Sequence, residues 1–279
     1  MNLKPITPND LPLVDTFLKM DHHQRGYPTG DLEILQHDFE EEELSLTDSI
    51  HFIEKNDQII GLIGTFGASW GNYVIGPIFE ELHHHKDNIK EAIGLLGDTK
   101  FIVDVPSTNR ELKTALEELQ VPVDSESTAM HYHVNTHNLT ETANIVPLTD
   151  DLKPAVNELF IKNLRPWAWN DESVEDVGES DHTAILMLEG HVAGAITWDW
   201  STETHEGELE YLCVGSDYQG KGYGKELVDY ALNRIKPLLV EGENDEFFLD
   251  VAKANTAARN FYERYGFIVD YERSIYIAK

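Results

Sequence analysis

Two stretches of this sequence can be laid side by side at a spacing of roughly 140 residues, too long for a solenoid repeat and about right for a duplicated domain. Ile6-Thr7-Pro8-Asn9-Asp10-Leu11 with Val14, Phe17 and Leu18 parallels Pro147-Leu148-Thr149-Asp150-Asp151-Leu152 with Val156 and Leu159. Each reads as a Thr- or Asx-capped amphipathic helix start. His51–Lys55 and Gln58–Phe66 read as a hairpin around Asn56-Asp57, and Thr183–Leu188 and His191–Trp200 as another around Glu189-Gly190, with Gly61 matching Gly194. Phe101-Ile102-Val103-Asp104-Val105 with Asn109 matches Phe248-Leu249-Asp250-Val251 with Asn255, and each leads into a helix. The 279 residues are therefore expected to form two domains, 1–135 and 144–279, joined by the polar, Thr- and Asn-rich linker 136–143.

The halves differ in one place. After the apolar run Tyr211–Val214, the second half has Gln219-Gly220-Lys221-Gly222-Tyr223-Gly224-Lys225, then Leu227, Val228, Ala231, Leu232 and Ile235 at helical spacing. This is a strand, a glycine-rich turn and a helix. Glycines at a helix start let successive N–H groups converge where the unpaired donors and the positive dipole end attract an anion, and a phosphate fits. No Gly-Lys-Ser/Thr closes the turn as in a P-loop, and no acidic residue ends a second strand as in a dinucleotide fold. In the first half, the strand Tyr73–Phe79 runs into Glu80-Glu81-Leu82-His83-His84-His85-Lys86, which has no glycine and two carboxylates that oppose an anion.

Gln219, Gly222 and Gly224 resemble the acyl-CoA motif of the GNAT superfamily of N-acyltransferases, Gln/Arg-x-x-Gly-x-Gly/Ala. Downstream, Asp250–Phe267 is similar to the superfamily's next motif: a strand, an Asn-x-x-Ala helix start at Asn255, a tyrosine at Tyr262 and a terminal Gly-Phe. The first half has Leu116 where the second has Tyr262. The resemblance implies an α/β (α+β) protein of two GNAT-like domains, each a mixed, mostly antiparallel sheet flanked by helices. The N-terminal one would be degenerate and the C-terminal one catalytic.

It further implies acetyl-CoA as co-substrate and transfer of its acetyl group to a primary amine in a ternary complex. The turn formed by Gln219, Gly220, Lys221, Gly222, Tyr223, Gly224 and Lys225 would hold the pyrophosphate, with Asn255 and Arg259 as further contacts. The backbone of Leu212, Cys213 and Val214 would line the pantetheine arm, because this strand is expected to splay from Phe247–Val251. Tyr262 would be the general acid for the departing thiolate. Glu208 and Glu210 alternate onto one strand face and are candidates for the general base, with Asp250 as the other option; each is equally readable as a solvated carboxylate. Trp167 and Trp169 are acceptor-site candidates, while Trp198 and Trp200 share a strand face and at least one is expected in the core. Asn255 also reads as a plain helix cap.

The net charge of −30 argues against nucleic acid, whose phosphates would be repelled, and favours a cationic small-molecule or peptide amine. Lys221, Lys225, Arg234, Lys236, Lys253, Arg259 and Arg264 nevertheless place seven of the 21 basic residues around the two motifs. The single cysteine, Cys213, excludes an internal disulfide and a thiolate zinc cluster, and within an apolar strand it reads as a core residue. His83-His84-His85 cannot all converge on one ion, so no metal is expected. The acidic stretch from Asp31 to Asp48 reads as an exposed helix or two. No apolar run is long enough for a membrane helix and no signal peptide is apparent, so the expectation is a cytoplasmic monomer or homodimer. The competing readings are a non-catalytic acyl-CoA-binding regulatory protein and a duplicated-fold transferase using a longer acyl group or an acyl-tRNA donor. The acidity opposes the tRNA.

Overall fold

A computed structural model describes residues 1–20, 32–68, 71–97, 100–134, 139, 144–164, 182–202, 205–239 and 245–278. Short β-branched and aromatic runs form its strands, and Leu- and Ala-rich repeats at helical spacing form its helices. The first half runs β1 (Asn2–Pro5), α1 (Leu11–Leu18), α2 (Leu32–Glu41), α3 (Leu46–Ser49), β2 (Ile50–Lys55), β3 (Gln58–Ala68), β4 (Gly71–Phe79), α4 (Lys86–Gly94), β5 (Ile102–Pro106), α5 (Arg110–Glu118) and β6 (Val123–His133). Among the described residues the second runs β7 (Ile145–Pro147), α6 (Lys153–Leu164), β8 (His182–Leu188), β9 (His191–Trp198), β10 (Glu206–Val214), α7 (Tyr223–Ile235), β11 (Glu246–Ala252), α8 (Thr256–Tyr265) and β12 (Ile268–Ile277), the same order of strands with one helix in place of α1 to α3.

The duplication reaches backbone detail. The hairpins turn at Asn56 and Asp57 (φ 52° and 63°) and at Glu189 and Gly190 (φ 51° and 80°), the paired positive values of a two-residue turn that matches strand twist. Gly61 lies opposite Phe79, and a Cβ there would come within 2.6 Å of the Ile78 carbonyl. Gly194 lies opposite Val214, where a Cβ would come within 2.9 Å of the Cys213 carbonyl. The same close approach of strands explains both glycines. Asn109 and Asn255 each cap their helix, accepting from the N–H of Leu112 at 3.0 Å and of Ala258 at 3.2 Å.

The division into compact units is not the one expected from a single cut at 136–143. The first unit is Met1–Ser127 together with Tyr271–Lys279, and the second is Thr128–Asp270. The last strand of each half is exchanged. β12 closes the first unit's sheet beside β5, in antiparallel register from Arg273↔Pro106 to Ile277↔Ile102, so that order is β1-β2-β3-β4-β5-β12. The second unit's order is β6-β11-β10-β9-β8-β7. Packing explains why a linear reading misses this: Tyr276 is buried in the first unit's core with Val103, Leu112 and Leu116, and Met130 and Tyr132 of β6 are buried in the second unit's core. Arg273 adds an ion pair to the buried Asp104 at 2.7 Å.

Helices pack on both faces of each sheet. In the first unit α4 and α5 cover one face and α1 and α2 the other. The acidic stretch read as exposed helix thus does more, since Leu35 and Phe39 of α2 are fully buried. In the second unit α7 and α8 cover one face, and α6, through Val156, Leu159 and Phe160, packs on the other. Among the described residues no helix is long and apolar enough to cross a membrane.

Candidate active site

The site is built where β10 and β11 part. They pair in parallel only from Glu206↔Glu246 to Glu208↔Phe248. Beyond that β10 continues along β9 as far as Val214↔Gly194, so the edge of Leu212, Cys213 and Val214 that faces β11 lies outside the ladder. This is the splay that the resemblance implied, and it begins past Phe248. A bulge at Glu210, where the register passes from Leu209↔Trp198 to Tyr211↔Thr197, starts the divergence.

That bulge changes the strand's phase. Leu209 and then Leu212 and Val214 pack toward α7 and α8, whereas Tyr211 and Cys213 pack toward α6. Simple alternation therefore holds through Glu208 and Glu210, both exposed, and changes phase after the inserted residue. Glu208 is fixed through its main chain, its N–H donating to Asp199 Oδ1 at 2.5 Å and its carbonyl accepting from the Asp199 N–H at 3.0 Å. Cys213 is the core residue the sequence suggested: buried, its thiol pushed up to about 12 by burial and lying 3.9 Å from the Leu159 carbonyl.

At the end of β10 the chain makes a 3-10 turn over Ser216–Tyr218 and enters α7 through the glycine turn. Gly220 and Gly222 have φ of 74° and 93°, the left-handed region, and nothing lies within 4 Å of where their Cβ atoms would stand. Gly224 differs: it is already helical, and its missing Cβ faces the ring of Phe261 at 3.4 Å. The turn at Gly220 and Gly222 is thus clear of neighbouring side chains where the first N–H groups of α7 begin, an arrangement suited to a pyrophosphate. Gln219 supports the turn by donating from its amide to the Val214 carbonyl at 2.9 Å.

The cations expected to meet the phosphates hold local partners. Lys221 donates to the Asp217 carbonyl at 2.9 Å, Lys225 to Asp229 at 2.5 Å, and Arg259 to Glu263 at 3.1 Å. Asp229, 1% exposed on the apolar face of α7, also accepts from the Tyr265 hydroxyl at 2.7 Å. The sequence reading missed Asp229; the signal was a lone carboxylate among Leu227, Val228, Ala231 and Leu232, one helical turn after a lysine.

Tyr262 is buried between Phe261 and Phe267, with ring centroids 5.2 and 5.4 Å away. Burial raises its hydroxyl above the ordinary tyrosine value, which keeps the proton that a general acid needs. It shares a cluster with Leu212 and Val214 of β10, Leu249 and Val251 of β11, and Tyr218 and Tyr223 of the turn. Asn255 caps α8 as described. Trp198 is buried against His182 with centroids 5.4 Å apart, and Trp200 packs on the same core. Trp167 and Trp169 lie outside the described residues.

The first unit differs at the corresponding helix start. At the N-terminus of α4 the Lys86 N–H donates to the Glu111 carboxylate of α5 at 2.8 Å, and His85 accepts from the Asp87 N–H at 3.3 Å. The protein's own side chains fill the anion position. Two residues past the other cap, the counterpart of Glu111 is Ala257, which leaves the α7 terminus open.

Residues 150–267 match the acetyltransferase (GNAT) family. This stretch is therefore similar to the GNAT acetyltransferases. An acetyltransferase of Yersinia enterocolitica is 29% identical over 111 residues, 39% of this chain and 72% of that protein. Among solved structures, a GCN5-related N-acetyltransferase from Sphaerobacter thermophilus superimposes with a TM-score of 0.66 at 12% identity, covering 99% of this chain and 94% of that one. A tandem GNAT protein from the clavulanic acid biosynthesis pathway gives 0.60 at 11% identity, covering 99% and 98%. The likeness of these two extends the GNAT fold to both halves, while the family match stays inside the second unit. The family match thus falls on the half that carries the glycine turn, and the first unit shares the fold.

Proposed function

We propose that the GNAT domain moves an acetyl group from acetyl-CoA directly to a primary amine within a ternary complex, and that the preferred amine is cationic. The observation that carries this is the parting of β10 from β11 after Glu208↔Phe248, with the open glycine turn at the end of the strand. When bound there, acetyl-CoA supplies the acetyl group as an activated thioester. The chain's residues do the rest. The α7 N–H groups, Gly220 and Gly222 bind phosphate, with Lys221, Lys225 and Arg259 turning outward to it. The β10 edge orients the amide-bearing arm, and the N–H at Val214 polarises a carbonyl laid against it. Tyr262 holds a proton on its phenol oxygen for the leaving sulfur.

The acceptor argument rests on one sheet face. Phe247, Leu249 and Val251 face α7 and α8, so Glu246, Phe248 and Asp250 face the other way, as do Glu206 and Glu208 opposite Gly207 and Leu209. Burial, then the charge of Glu246, pushes the Glu206 carboxyl up. Such a face draws an ammonium group and offers Glu208 or Asp250 as its base.

The test is thiol release from acetyl-CoA with a panel of polyamines, aminoglycosides, amino acids and peptide N-termini. Turnover with intersecting initial-rate lines is expected. Parallel lines would indicate an acetyl-enzyme instead of direct transfer, and binding without turnover on any amine would favour the regulatory reading.

A further inference from the structure

On that same sheet face, at the end of β11 away from the glycine turn, two histidines meet carboxylates. Met130 and Tyr132 of β6 are in the core under α7 and α8, so His131 and His133 alternate onto the opposite face. β6 is the neighbour of β11, and Glu246 is that strand's first residue. The ligand atoms of His131, His133 and Glu246 all lie within 4.8 Å of one another. His133 Nδ1 and Glu246 Oε1 are 3.2 Å apart, close to the ~3.3 Å that separates two ligands held at about 2.0–2.1 Å in a tetrahedral site.

A further relationship points to a metal ion beyond that ion pair. Asp270 Oδ1 lies 2.5 Å from His131 Nδ1; with the proton on Nδ1, Nε2 is the nitrogen able to ligate. A carboxylate that fixes the tautomer and ring of a histidine in this way is the usual support of a ligating imidazole. The two rings pack edge to face with centroids 4.9 Å apart, so both stay on one side. With two imidazoles, one carboxylate and no thiolate, the donor set suits Zn²⁺ over Mg²⁺ or Ca²⁺, which prefer oxygen.

We infer that His131, His133 and Glu246 form a Zn²⁺-type site, with Asp270 positioning His131, that fastens β6 to β11. Glu246 and Ala252 stand at opposite ends of β11, about 20 Å apart at ~3.3 Å per residue. The ion therefore stands far from the glycine turn, and its role is to hold the two strands together. It secures in the second unit a strand that the first half of the sequence supplies.

The test is Zn²⁺ titration of the chelator-treated full chain, followed by equilibrium dialysis with metal analysis and by thermal unfolding, with Co²⁺ as spectroscopic probe and Mg²⁺ as control. One tight Zn²⁺ per chain is expected, with tetrahedral Co²⁺ absorption and a raised Tm that Mg²⁺ does not reproduce. His133→Ala and Glu246→Gln should each weaken binding by at least about tenfold, and Asp270→Asn by about 10–100-fold. His133 is more than half exposed, so its replacement leaves the fold intact and keeps the test decisive if another variant fails to fold. Stoichiometry below one, or equal Zn²⁺ binding by His133→Ala and the parent chain, would overturn the inference and leave the group as an ordinary ion-pair cluster or assign the metal to His83–His85.

Discussion

Tyr265 donates its hydroxyl to Asp229 Oδ1 at 2.7 Å, and through that contact helix α8 is tied to helix α7 behind the glycine turn. The bond is to a buried carboxylate, so Tyr265→Phe should cost about 1.5–3 kcal/mol in urea unfolding. Asp229→Ala should cost more, because it also releases Lys225 from the helix, and Asp229→Asn less. Equal losses for Ala and Asn would show that the carboxylate's hydrogen bonds contribute nothing.

Tyr262→Phe removes only a hydroxyl from a ring held by Phe261 and Phe267. Turnover should fall by about 10²–10⁴-fold while acetyl-CoA affinity changes little. Unchanged kcat would leave Tyr262 as core packing alone.

The three glycines of the turn should respond differently. Gly220→Ala and Gly222→Ala place a Cβ in the left-handed region at about 1–2 kcal/mol each, whereas Gly224→Ala meets only ordinary contact with Phe261. Gly222→Asp should abolish acetyl-CoA binding, since a carboxylate would stand where the pyrophosphate belongs. Calorimetry should find one site per chain, because Glu111 already occupies the corresponding place in the first unit; two equivalent sites would contradict this.

Stability should fall at high pH. Burial raises Cys213 to about 12 and both Tyr262 and Tyr265 above the ordinary phenol value, with the Asp229 bond adding to Tyr265. Their contribution is complete below the unfolded values, about 8.5 for cysteine and about 10 for tyrosine, and is lost as pH climbs through the raised folded values. The urea midpoint should thus hold from about pH 7 to 8 and decline above about pH 9. A midpoint that rises over that interval would reverse the sign argued here.

Salt separates acceptor steering from mere solubility. For a cationic amine kcat/KM should drop as ionic strength passes about 0.1 M, where the Debye length is about 10 Å, with a smaller change in kcat. A neutral amine should show a shallower slope. Equal slopes would remove the acidic face from acceptor choice.

Much of this was legible because glycines, caps and turns act locally. The turn at Gly220 and Gly222 depends on backbone conformation, and the caps at Asn109 and Asn255 on a single side chain, so each leaves a mark at one position. The change of phase after Glu210 was not legible because a bulge depends on the partner strand, Thr197 to Trp198, which periodicity does not contain. The Lys225 pairing with Asp229 went unread because that partner is specified by burial. His131 and His133 drew no notice, since their companions Glu246 and Asp270 lie far along the chain.

The exchange of β6 and β12 sets a timetable for synthesis. The first unit lacks its closing strand until residues beyond the entire second unit have been made, while the second has β6 waiting from the start. The second should therefore mature as soon as α8 emerges, leaving the first an open sheet with the edge of β5 unpaired until β12 arrives. Every such pairing joins distant parts of the chain, which slows folding. Separating the halves at 136–143 would thus yield two fragments that each keep the other's strand.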